Sequence, residues 1–96
     1  LDEILSQKKI DTIMVGPYDL SGSLGRSGDF SNKKFTDALK IIDKICKKRK
    51  VTKGIHLPKI DYESFRDLIK NNFRFIAYGM DTQFLTDAIK NSFKKI

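Results

Sequence analysis

Residues 10–19 read IDTIMVGPYD: an apolar run from Ile10 to Val15, a Gly16-Pro17 break, then Tyr18 and a carboxylate at Asp19. Six residues are short for a helix. A short apolar run bounded by Gly and Pro predicts a strand enclosed on both faces, as in a parallel sheet. Two further strands are expected. Thr52–Leu57 is closed by Pro58, and Phe73–Tyr78 is closed by Gly79.

Between these strands the apolar period becomes that of a helix. From Ser31 onward, Phe35, Ala38, Leu39, Ile42, Ile45 and Cys46 share one face, and Lys33, Lys40, Lys44 and Lys47 share the other. Ser31 is the expected N-cap, with Phe30 and Phe35 placed to form a hydrophobic staple. The run Lys47-Lys48-Arg49-Lys50 falls at the helix end, where cations favour the macrodipole. Asp61 is expected to cap a second helix with Phe65, Leu68 and Ile69 inward, stopped by Asn71-Asn72. Asp81 is expected to cap a last helix whose apolar face is Leu85, Ala88, Ile89 and Phe93. Leu1, Ile4 and Leu5 have the spacing of a helix end. Gly16 to Ser31, with four glycines, reads as a long loop of the kind that carries function.

Strand then helix, three times over, predicts an α/β fold of right-handed βαβ units on a parallel sheet. Three such strands leave two open edges and too few helices to cover both faces. The segment therefore reads either as an oligomerising unit or as a piece of something larger. A (β/α)8 barrel runs to about 250 residues, and three of its units would take roughly this length. The first residue is Leu1, inside a helix end, which favours a fragment.

Composition narrows the function classes. The chain has 96 residues, 40% hydrophobic and 32% charged, which fits one small globular domain and excludes a disordered tail. No run approaches the roughly 20 apolar residues of a membrane span, and no signal pattern opens the chain, so no membrane association and a cytoplasmic location are expected. Cys46 is the single cysteine; it can form no internal disulfide and reads as a small buried hydrophobe. The net charge is +7, from 19 Lys and Arg against 12 Asp and Glu. The surplus is mostly Lys scattered over helix faces, without the arginine-rich or aromatic stripes that grip nucleic acid, so no nucleic-acid partner is expected.

In parallel α/β folds the ligand lies at the C-terminal ends of the strands. Here that rim receives Gly16-Pro17-Tyr18-Asp19, His56 and Asp81. Asp19 suits either a hard divalent cation or a turn cap. His56 suits a ligand, a base or a packed rim residue, and Asp81 is accounted for by helix capping. Gly16, Gly22 and Gly25 form neither GxGxxG nor a phosphate loop, and Cys46 is placed mid-helix, away from any nucleophile pairing.

Gly16 to Gly25, GPYDLSGSLG, resembles the HpcH/HpaI aldolase/citrate lyase family, and so do IDTIMV before it and FRFIAYGMDT at 73–82. The resemblance implies a class II pyruvate aldolase, similar to 2-dehydro-3-deoxyglucarate aldolases. Residues 1–96 would be the C-terminal three βα units of a TIM (β/α)8 barrel, an incomplete catalytic domain that is inactive alone. The implied reaction cleaves 4-hydroxy-2-oxo acids to pyruvate and an aldehyde, with a divalent metal, Mg2+ or Mn2+. By the same resemblance Asp19 is a metal ligand, and Gly16, Pro17 and Tyr18 touch substrate, with the Tyr18 N–H toward the pyruvate carboxylate; His56 is a further candidate substrate contact, on the aldehyde or the pyruvate side. The second carboxylate ligand, the base and an arginine would belong to earlier strands. His56 stands where the family usually has an aliphatic residue, and Asn72 where it has a helix-ending glycine. The resemblance also implies a homo-oligomer joined through the last helix. The alternative is a small α/β binding module with an anionic partner.

Overall fold

The computed structural model describes residues 1–94; the last two positions of the incomplete domain expected over 1–96 lie outside the described residues. In chain order the elements are α1 (Asp2–Leu5), β1 (Thr12–Val15), α2 (Pro17–Ser23), α3 (Lys33–Arg49), β2 (Thr52–Leu57), α4 (Tyr62–Lys70), β3 (Phe73–Tyr78) and α5 (Asp81–Phe93). The strands form one parallel sheet in the order β1-β2-β3, with Val15 opposite Ile55 and Ile55 opposite Ile76. Sequential order with helices between parallel neighbours is the βαβ arrangement expected from the sequence.

One face of this sheet is packed. Val15, Ile55 and Phe73 are buried together, and Ile13, Leu20, Leu39, Ile42, Leu68 and Ile76 close around them. The other face is open. Met14 lies between Ile13 and Val15 and so points the opposite way; it is 46% exposed, and Phe75 is 50% exposed. The enclosure of β1 on both faces is thus met on one side only by the described residues. The radius of gyration is 15.8 Å, against about 12 Å for a compact chain of this length. Among the described residues no helix is long and apolar enough to cross a membrane.

Several boundaries differ from expectation. β1 starts at Thr12 and not at Ile10, because its partner β2 begins at Thr52, whose N–H reaches back to the Asp11 carbonyl (3.2 Å). The N-cap of α3 is Asn32 and not Ser31: its Oδ1 accepts from the Lys34 N–H (2.8 Å), while Ser31 Oγ donates to Asp29 Oδ1 (3.0 Å). The staple is present, with the Phe30 and Phe35 rings 5.2 Å apart. Asp61 caps α4 as expected, accepting from the Glu63 N–H. Ser64 Oγ also donates to it (2.7 Å), and this bond, ahead of the Glu63 and Lys59 contributions, holds the Asp61 carboxyl below the usual range. Asn72 takes a left-handed φ of 69°, the helix-ending geometry expected of it. α5 is capped by Met80, whose backbone is extended; Asp81 is the first helical residue, and its Oδ1 accepts from the Thr82 N–H (2.7 Å).

The largest departure is the 16–31 loop. Its first half is helix α2, opened by Pro17 at the first helical position, where the fixed φ of proline is already helical. Its second half is tied down by Ser21, 1% exposed, whose Oγ donates to the Tyr18 carbonyl (3.1 Å) and accepts from the Gly28 N–H (2.9 Å). The Tyr18 ring meets Phe30 edge-on at 5.1 Å. The connection is a packed structure of its own.

Candidate functional site

The strand register decides which residues meet at the rim. Val15 is the last residue of β1 and lies opposite Ile55, so Gly16 and His56 stand one step further along adjacent strands. His56 in turn lies opposite Ala77 of β3, two residues before Gly79. The turn after β1, the end of β2 and the turn after β3 therefore share one edge of the sheet.

Gly16 caps α2 with an extended backbone, and Pro17 starts the helix. This compact turn carries Asp19 into the first helical turn, exposed to solvent. A Cβ at position 16 would lie 3.2 Å from Asp19 Oδ2. The absent side chain of Gly16 is what leaves that carboxylate oxygen room, and a hard cation would need that room. Tyr18 packs its ring on Phe30, so its offering to the rim is its main chain: the second N–H of a helix has no intrahelical acceptor.

His56 is engaged within the chain. Its Nε2–H donates to the Gly79 carbonyl (2.9 Å), and the Gly79 N–H donates to the Leu57 carbonyl (2.7 Å). The two bonds clasp the turn between β3 and α5 to the end of β2. Gly79 is buried with φ 79°, and the Phe84 ring occupies the place a Cβ would take, 2.5 Å away. The positive φ favours glycine at this turn.

Gly16, Pro17, Tyr18 and Asp19 thus form one turn, with His56 on the neighbouring strand, while Asp81 serves its own helix. Among the described residues no three of His, Cys, Asp and Glu converge on one point. Asp19 is a single oxygen donor with space around it. A single exposed carboxylate of this kind suits a hard divalent cation.

Reasoning from sequence missed two residues. Ser21 holds the backbone that carries Tyr18. Lys53, in the second position of β2, is 6% exposed and gives Nζ to Asp43 Oδ1 (2.9 Å) and to the Asn71 carbonyl (2.8 Å). The signal for Lys53 was its place inside a strand otherwise read as apolar. Ser21 had none, since its partner Gly28 lies seven residues on. Cys46 is buried as expected, which pushes its thiol up from the usual value.

Comparison with known proteins adds a scale to this geometry. Residues 1–88 match the model of the HpcH/HpaI aldolase/citrate lyase family. The chain is 25% identical over 95 residues to a hydroxypyruvate/pyruvate aldolase of Roseovarius nubinhibens, covering 99% of this chain and 36% of that protein. It is 32% identical over 92 residues to a 2-keto-3-deoxy-L-rhamnonate aldolase of Salmonella paratyphi A, covering 95% of this chain and 33% of that one. Its fold superposes on the crystal structure of an HpcH/HpaI aldolase/citrate lyase family protein from Burkholderia cenocepacia with a TM-score of 0.88 at 26% identity, over 98% of this chain and 36% of that chain. The chain spans about a third of the length of the curated relatives it matches. Its three βα units correspond to a sector of a TIM barrel.

Proposed function

The chain belongs to the HpcH/HpaI aldolase/citrate lyase family, and on that premise we propose that it is the C-terminal part of a metal-dependent aldolase. The whole protein would cleave 4-hydroxy-2-oxo acids to pyruvate and an aldehyde, with residues 1–96 an incomplete catalytic domain. The observation that carries this reading is the Gly16–Asp19 turn, which presents an exposed carboxylate at the C-terminal end of a barrel strand, beside a glycine that leaves it open.

In this reading Asp19 contributes one ligand of a divalent ion, Mg2+ or Mn2+ by the preference of oxygen donors. When bound, such an ion supplies positive charge against the negative charge that develops on the keto oxygen as the carbon–carbon bond breaks. Gly16 and Pro17 set the turn, and the Tyr18 N–H is a donor for the pyruvate carboxylate. His56 borders the substrate side of the same edge while its Nε2–H is spent on Gly79. The remaining ligand, the base and the polarising group would come from residues before Leu1, so this segment alone would be inactive. A cytoplasmic location and a homo-oligomer joined through α5 complete the proposal. Leu85, Ile89 and Phe93 are 49–66% exposed, a face available to a second copy.

The alternative, a binding module for an anionic partner, is weakened by internal pairing of the basic run. Lys47 pairs with Asp43 (2.9 Å), and Lys48 and Arg49 pair with Asp2 (3.2 and 2.7 Å).

The test is pyruvate release from 4-hydroxy-2-oxo acids by the whole protein that carries these residues. Release should stop with EDTA, return with Mg2+ or Mn2+, and be lost in Asp19→Ala. Metal-independent release, or full activity in Asp19→Ala, would overturn the reading.

A further inference from the structure

On the side of the sheet away from Met14 and Phe75, helices α3 and α4 stand apart over β2 and leave a groove of about 670 Å3. That volume falls in the range of small-molecule sites, about 300–1,000 Å3. Phe35 and Leu39 form one wall, Leu68 the other, and Ile55 and Phe73 the floor. Phe35, Ile55 and Phe73 are 4–5% exposed, so the apolar surface is recessed. Leu39 and Leu68 on the walls are half-buried and keep apolar surface within reach of a slender chain. The two walls and the floor come from consecutive βα units of this chain.

The mouth is basic. Lys40, Lys47, Lys59 and Lys70 stand around it, and the one acidic residue in the lining is Asp43. That carboxylate is already bound by Lys53 and Lys47, each at 2.9 Å. Lys40 and Lys70 have no carboxylate within ion-pair distance among the described residues. A recessed apolar channel under unmatched ammonium groups is complementary to an anion with an apolar tail. Pro17 and Tyr18 close the upper end, while Asp19 is not part of the lining.

We infer that this groove binds a fatty-acid-type carboxylate, its chain along β2 between α3 and α4 and its head among Lys40 and Lys70. Electrostatic complementarity selects the head, and apolar burial supplies affinity. The groove shares Pro17, Tyr18 and His56 of its lining with the rim of the candidate aldolase centre and leaves out Asp19, the metal-ligand candidate of that reading.

The test uses the whole protein and laurate below its micelle-forming concentration, measured by titration calorimetry, with dodecyltrimethylammonium as a cationic probe of equal chain length. Laurate should bind saturably at one site, at least tenfold tighter than the cation. Leu68→Trp, which fills the groove, should weaken laurate at least tenfold. The surface double variant Lys40→Glu with Lys70→Glu should do the same, and it carries the test if Leu68→Trp fails to fold. Asp19→Ala should bind laurate like the parent, so that failure of the aldolase reading leaves this result intact. Equal binding of the two probes, no saturable laurate binding, or binding unchanged in the double variant would overturn the proposal.

Discussion

Lys53 Nζ lies 2.9 Å from Asp43 Oδ1 and 4.1 Å from the centre of the Phe73 ring, so the buried ammonium of β2 is held between a carboxylate of α3 and an aromatic face of β3. Three elements meet at one charge. Such a charge is costly to leave alone and inexpensive to remove together with its need for a partner. Asp43→Ala should therefore destabilise by about 3 kcal/mol, and Lys53→Met by less than half of that, in urea unfolding of the whole protein. Equal losses would show that packing, and not the pairing, is what the site provides.

The same pair sets a pH dependence. The hydrogen bond from Lys53, and then that from Lys47, holds the Asp43 carboxyl below its usual range. A carboxylate whose folded pKa lies below its unfolded value stabilises the fold above the unfolded pKa of about 3.9, and that contribution is lost as pH falls through the folded value. The stability difference between the parent and Asp43→Asn should be constant from pH 7 to pH 5 and shrink below about pH 4. Thermal melts of both proteins across that range measure it; a gap that persists at pH 2 would contradict the assignment.

What the sequence made legible was local in the chain. β1 announced itself by an apolar run closed by Gly16-Pro17, β2 and β3 by the Pro58 and Gly79 at their ends, and Asp61 by its place before an apolar stripe. Asp19 was legible because its turn is contiguous, so residue order alone brings Gly16 and the carboxylate together. Contacts between distant positions were hidden. His56 and Gly79 are 23 residues apart, and the pairing of Lys53 was hidden because its partners Asp43 and Asn71 lie in two different connections. Helix α2 was hidden for another reason: serine and glycine have weak helix propensity, and what holds PYDLSGS in a helix is Pro17 at its start and Ser21 inside it.

Ser21→Ala tests that last point. It removes a buried hydroxyl that serves two backbone groups and leaves the Gly28 N–H without its acceptor. The cost should be about 1 kcal/mol, concentrated in the 22–30 segment. Limited proteolysis should cut between Gly22 and Phe30 sooner than in the parent, with cleavage elsewhere unchanged. Uniform sensitisation would mean that Ser21 supports the core and not the loop.

Gly54 sits at the irregular step between β2 and β3, buried between two neighbouring strands. A Cβ there would come within 2.7 Å of the Ile13 carbonyl oxygen and 2.8 Å of that of Phe75. Backbone on both sides has no rotamer with which to yield, so Gly54→Ala must spread the sheet. A loss of about 1–3 kcal/mol is expected, in the range of overpacked cores. Denaturant unfolding checks it, and a variant as stable as the parent would show that the strands separate at little cost.

His56 poses the sharpest choice, because its position at the rim fits substrate contact while its Nε2–H is committed to the Gly79 carbonyl. The buried Gly79 would lose that donor in His56→Leu, at a cost of about 1–3 kcal/mol, and the turn into α5 would loosen. His56→Gln keeps a donor of similar reach, so the expected order of stability is parent, then Gln, then Leu. Catalysis separates the two roles. A tether alone predicts that Gln restores both stability and kcat/KM. A substrate contact through the other ring nitrogen predicts that Gln restores stability but leaves KM raised. Melting temperature and steady-state kinetics on the same two variants of the whole protein decide it, and a Leu variant as stable as the parent would remove the tether from the account.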